Sequence, residues 1–217
     1  MMMRHFAFRR RRALPKITIT LICLLAGTMT ATLAASTYLA VEPDALLSQK
    51  ERKPKKEEPR MSMTITSSSF ANHGEIPIRH TCQGHDTSPE LFWENIPENA
   101  KSLVLILDDP DAPDPAAPKL TWVHWVLYNI PPAAQGLPEG VAEADLPIGT
   151  LGGLNDWQRT GYGGPCPPIG KHRYFHKLYA LDIMLPDLKH PTKAILEQEM
   201  QGHIIAQSEL VGLYQKQ

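Results

Sequence analysis

Three short segments of this 217-residue chain gather side chains able to do chemistry. The first is Asp108-Asp109-Pro110-Asp111-Ala112-Pro113. Its carboxylates can orient a histidine or meet an ammonium group, whereas they repel a bare phosphate. The second is Trp122-Val123-His124, an aromatic wall beside an imidazole. The third runs from Tyr162-Gly163-Gly164-Pro165-Cys166-Pro167-Pro168 into Gly170-Lys171-His172-Arg173-Tyr174. Glycines there let a backbone approach a ligand closely and offer N–H groups to an anion. Prolines around them stiffen the loop, so less entropy is lost on binding. His124, His172 and the Tyr174 hydroxyl are hydrogen-bond donors, and each histidine carries charge once protonated. Each piece alone has a plainer reading. Asp-Pro-Asp is a common turn, Trp-x-His on a strand commonly packs a core, and Gly-Gly-Pro is a loop.

Strands must position these groups. Lys101–Asp108 reads as a strand with Leu103, Leu105 and Leu107 on one face. Thr121–Ile130 reads as a second, stopped by Pro131-Pro132, and simple alternation puts Trp122, His124, Val126 and Tyr128 on a common face. His172–Asp182 reads as a third, with His172, Tyr174 and His176 together. Weaker strands are expected near Met63–Thr66 and Leu91–Trp93. Helical spacing appears only late: Leu196, Met200, Ile204, Gln207, Val211 and Tyr214 recur every three or four residues. Thr192 is placed to cap this run, and Gly202 to split it into two helices.

Taken together and in this order, the three segments resemble the signature of the phosphatidylethanolamine-binding protein family, in its bacterial branch of Raf-kinase-inhibitor-like proteins. Ser88-Pro89, Asn155-Asp156 and Gly202-His203 extend the resemblance over about Ser67–Tyr214. It implies a mainly β fold: a β-sandwich of antiparallel sheets with C-terminal helices and a ligand pocket at one end. It also implies a pocket built from Asp109, Asp111, Trp122, His124, Gly164, His172 and Tyr174. Pockets of that family accept phosphate-like anions and phosphorylethanolamine-type head groups, so the expected ligand is a small anion or a phospholipid head group. A protein-binding inhibitor of an exported protease or other partner is the alternative. The chain has no HExxH, GxSxG, P-loop or GxGxxG motif, so an Asp/His hydrolase ranks lower. His172 and His176 on one strand would stand roughly 13 Å apart, too far to share a metal. No metal and no cofactor are expected.

Charge and hydropathy divide the chain. Residues 1–60 hold 12 Lys/Arg against five Asp/Glu, and residues 61–217 hold ten against 18. So acidic a domain makes a poor nucleic-acid binder. Arg4, Arg9–Arg12 and Lys16 precede an uncharged run, Ile17–Val41. Residues 1–41 therefore read as a signal peptide or a membrane anchor, the run being long enough for either. Residues 42–60 read as a flexible polar linker, and 61–217 as the domain. The basic flank puts the domain outside the cytoplasm, periplasmic or tethered to the outer face of the inner membrane. No CxxC pair exists among Cys23, Cys82 and Cys166. Cys82 lies in a turn-like stretch, Thr81–Asp86, and the resemblance puts the Gly163–Pro168 loop at the pocket. Export would then let Cys82 and Cys166 pair at the pocket rim.

Overall fold

Four long strands carry the architecture, and the computed structural model describes them within residues 61–217. The expected leader (1–41) and linker (42–60) lie outside the described residues. Among the described residues no helix is long and apolar enough to cross a membrane. The strands are β1 (Thr64–Thr66), β2 (Gly74–Glu75), β3 (Leu91–Glu94), β4 (Ser102–Ala112), β5 (Leu120–Ile130), β6 (Gly136–Leu137), β7 (Leu151–Gly152), β8 (Lys171–Leu181) and β9 (Ile204–Gln215). Among the described residues a single α-helix, α1 (Lys193–Glu199), precedes β9.

β1, β3 and β6 form a small antiparallel sheet. The large sheet has the order β2-β9-β8-β4-β5-β7. It is antiparallel except where β2 joins β9 in parallel. The two sheets enclose the main core: Ile65, Leu91 and Trp93 from one side meet Leu103, Leu105, Leu107, Trp125, Tyr174 and Leu178 from the other. A second apolar layer covers the opposite face of the large sheet. There Val104, Ile106, Val123, Val126 and Tyr128 pack against Leu185 and against Leu196 and Met200 of the helical segment. β4 is buried along nearly its whole length because it is covered on both faces. Its continuous apolar run, Leu103–Leu107, is the sequence counterpart of that position.

Two expectations about these elements are corrected. The second late helix is β9. Thr192 does cap α1, its hydroxyl accepting from Ile195 N–H, but the chain leaves the helix and reverses at Gly202, whose φ is +80°. Beyond it Leu210 and Tyr214 alternate into the core, with Ala206 packed against its edge and Gly212 between Phe70 and Ile76. Such small and polar inward residues give little period-two signal. The shared face of β5 also breaks. Leu107 pairs with Trp125 but Asp108 pairs with Val123, so His124 is the extra residue of a β-bulge. The bulge keeps Trp122 and His124 on the main-core face while Val126 and Tyr128 face the helix layer.

Candidate functional site

At one end of the large sheet the bulged part of β5, the end of β4 and the start of β8 leave a cavity of about 480 Å³. Asp109, Trp122, His124 and His172 line it, and Gly163 and Gly164 close one side. Of the seven residues implied as ligand contacts, five are therefore on the wall. Asp111 and Tyr174 are not on it. Both Asp111 oxygens are taken by Arg173, at 2.6 and 2.9 Å, and Oδ2 also accepts from the Arg173 backbone N–H. Those hydrogen bonds hold the Asp111 carboxyl below its ordinary range. Tyr174 is wholly buried beneath the site, stacked on His172 and edge-on to His124. Its hydroxyl has no hydrogen-bond partner among the described residues, and burial pushes its pKa up.

At the base, His172 sits between two oxygen atoms. Nδ1 is 2.7 Å from Asp109 Oδ2, and Nε2 is 2.9 Å from Ile169 O. A carbonyl only accepts, so Nε2 carries hydrogen. The Nδ1–Oδ2 contact then needs one more proton, held by the ring or by the carboxyl. Either way the pair has no net charge. Burial raises the Asp109 pKa, against the opposing effect of the His172 hydrogen bond. Asp109 Oδ1 also accepts from Asp111 N–H, which fixes the carboxyl plane.

His124 is set differently. Its Nδ1 lies 2.7 Å from Gly163 O and donates to it. Burial lowers its pKa to about 4, so the ring is neutral at neutral pH. The two glycine amides are also occupied: Gly163 N–H donates to His124 O and Gly164 N–H donates to Asp86 Oδ1. They are not an open anion nest. Both positions demand glycine for closeness. A Cβ at Gly163 would stand 2.5 Å from the Trp157 ring, and one at Gly164 would stand 2.5 Å from His80 O.

The rim holds what sequence reasoning missed. Asp86, Trp157 and Arg159 all line the cavity. Asn155 Oδ1 accepts from the N–H groups of Trp157 and Arg159, which aims that loop at the site. Arg159 spans Trp157, with its guanidinium carbon 5.9 Å from the ring centroid, and stands 3.9 Å from Asp86. Among the described residues it is the one lysine or arginine on the cavity wall. Asn155-Asp156 was the available signal, since it lies immediately before Trp157. Trp122 Nε1 is buried without a partner at the same wall. Cys82 and Cys166 are joined by a disulfide, with Cα atoms 5.4 Å apart, and both line the cavity. The bond ties the Thr81–Asp86 stretch to the Gly163–Pro168 loop. Cys82 N–H to Pro165 O and Tyr162 Oη to His80 O reinforce it. Among the described residues no cluster of three or more His, Cys, Asp or Glu is placed to hold a metal.

The comparisons with known proteins agree with this fold. Residues 66–215 match the family model described as phosphatidylethanolamine-binding protein. A UPF0098 protein of Methanothermobacter thermautotrophicus is 46% identical over 155 residues, covering 71% of this chain and 99% of its own. Another, from Pyrococcus abyssi, is 47% identical, covering 71% and 86%. Among solved structures, a putative phosphatidylethanolamine-binding protein homologue from Chlamydia trachomatis superposes with a TM-score of 0.66 at 43% identity, over 72% of this chain and 99% of its own. YbcL of E. coli, described as a new member of the mammalian family, gives 0.65 at 29% identity, over 72% and 100%. The chain belongs to the phosphatidylethanolamine-binding protein family.

Proposed function

We propose that this domain binds a small phosphate-bearing ligand of the phospholipid head-group kind, and that it does so outside the cytoplasm. The carrying observation is the meeting of the Asp109–His172 pair, His124 and Arg159 on one mainly apolar cavity. Its volume of about 480 Å³ falls within the range of small-molecule sites. Arg159 supplies the positive charge at the mouth, and the apolar walls strengthen its attraction for an anion by excluding water. The rim is cross-linked before any ligand arrives, which reduces the ordering cost of binding.

The histidine geometry supports binding over turnover. Both ring nitrogens of His172 are engaged with protein oxygens, and His124 Nδ1 is engaged with a third. Location outside the cytoplasm is supported by the arginine-rich flank before the uncharged Ile17–Val41 run and by the disulfide, which suits an oxidising compartment. Calorimetric titration of the full chain with phosphorylethanolamine tests the binding reading. Saturable binding is expected. Affinity no better than about 1 mM would end it.

A further inference from the structure

We propose that His124 is the specificity-determining group of this cavity: its Nε2 is a hydrogen-bond acceptor, so the cavity takes a ligand that brings a proton and turns away anions that carry none. The inference rests on the binding reading above. Its foundation is the hydrogen-bond account of the ring. Gly163 O accepts and cannot donate, so the 2.7 Å contact requires hydrogen on Nδ1. Nε2 forms no hydrogen bond among the described residues, and the ring lines the cavity. In the neutral ring, Nε2 therefore presents a lone pair. Burial keeps the ring neutral, its pKa lying at about 4.

Among the described residues no donor is hydrogen-bonded to this lone pair, the unpartnered Tyr174 hydroxyl lying buried beneath the wall. The Gly163 and Gly164 amides already donate to His124 O and Asp86 Oδ1. Both His172 nitrogens face protein oxygens. Arg159 and Trp122 Nε1 remain as donors to ligand oxygens. An anion held by those two must still present something to His124 Nε2. If that is an oxygen without hydrogen, two lone pairs meet in a site with little water. If it is a hydroxyl or an ammonium, a hydrogen bond forms. Sites built around such a group reject the analogue that lacks the matching hydrogen, because a buried polar atom is then left unpaired.

Inorganic phosphate keeps a proton at pH 8, and sulfate has none. Phosphorylethanolamine brings an ammonium group, whereas phosphocholine has neither N–H nor, at that pH, an appreciable phosphate proton. The shared chemistry is a donated hydrogen, and the two pairs separate its sources. Calorimetry of the full chain at pH 8, in a chloride background of fixed ionic strength, measures all four. The expected result is at least about a tenfold preference within one or both pairs. A preference in the first pair places the hydrogen on the phosphoryl group, and one in the second places it on the ammonium. Equal affinities within both pairs would overturn the inference while leaving the binding reading intact. Failure of all four to bind would overturn both. His124→Phe should bring each preference to about one, and a preference persisting in that folded variant would overturn the assignment to His124. The wild-type ratios decide the matter even if the variant does not fold.

Discussion

Asp108 and Asp109 are neighbours on β4, and the two faces of the large sheet put them to opposite uses. Asp108 points into the helix layer and is wholly buried. Lys177 Nζ lies 2.9 Å from both its oxygens, and Lys193 Nζ, at the start of α1, also binds Oδ2. Two cations from different elements converge on it, so the group ties helix to sheet. Asp109 points the other way and meets one histidine at the base of a cavity. Burial of a carboxylate is tolerated in both places because each has a partner. The difference is that one face closes over its charge and the other stays open. A covalent tie joins the loops that border the open face.

The largest effect expected concerns that tie. The disulfide closes a loop across 84 residues of sequence separation, for which the chain-entropy model gives roughly 4–5 kcal/mol. The double variant Cys82→Ala/Cys166→Ala should lose about that much in urea unfolding and also bind phosphorylethanolamine more weakly. Unchanged stability would show that the Cys82–Pro165 and Tyr162–His80 hydrogen bonds hold the rim alone.

On the closed face, Asp108→Asn should cost about 4 kcal/mol, as expected when one partner of a buried ionic group is removed. Its signature is a lower denaturation midpoint with ligand affinity unchanged in the folded fraction. A loss of affinity at unchanged stability would dissolve the distinction between the faces.

Acid should strike the open face first. His124 and His176 are both buried there, and desolvation lowers each pKa to about 4. Among the described residues His176 has no hydrogen-bond partner on either ring nitrogen, and it packs against Phe70. Between pH 6.5 and 4 the unfolded chain binds protons that the folded chain refuses. Stability therefore rises with pH across this window and falls as acid is added. Each histidine contributes about 3 kcal/mol to that slope. His176→Phe should flatten it and move acid unfolding to lower pH, with binding at pH 7 retained. An unaltered acid midpoint would remove His176 from the account.

The same contrast explains what the sequence disclosed. β4, β5 and β8 were legible because burial on both faces, or strict alternation, writes itself into local composition. The convergence of Asp109, His124 and His172 was legible only through the family resemblance, since strand order is not a local property. The bulge at His124 was hidden because it depends on pairing with β4, not on any residue type. β9 was misread because Ala206, Ser208 and Gly212 occupy inward positions, so the helical spacing of Leu196, Met200 and Ile204 ran on into a strand. Asp111 looked equivalent to Asp109 until the pairing of neighbouring strands brought Arg173 beside it, a competitor already present in the quoted His-Arg-Tyr. Trp157, Arg159 and Asp86 sit on loops aimed by a few side-chain hydrogen bonds: Asn155 Oδ1 accepts from Trp157 and Arg159 N–H, and Asp86 Oδ1 accepts from Gly164 N–H. Such contacts leave no periodic trace.

The smallest effect is the one that bears most directly on function. Asp109→Ala removes the carboxyl that orients His172 but leaves the Ile169 carbonyl as a partner for Nε2. His172 remains buried and loses its only Nδ1 contact, so its ring is less firmly fixed against the cavity. Phosphorylethanolamine affinity should fall at least about tenfold, or ~1.4 kcal/mol. The stability loss should be smaller than for Asp108→Asn, because a single, already neutral pair is broken instead of a carboxylate serving two lysines. Measuring both quantities on both variants gives a crossed pattern: stability lost at Asp108, affinity lost at Asp109. If Asp109→Ala keeps wild-type affinity, the pair at the base is a packing feature, and ligand recognition must then rest on His124, Trp122 and the Arg159 rim.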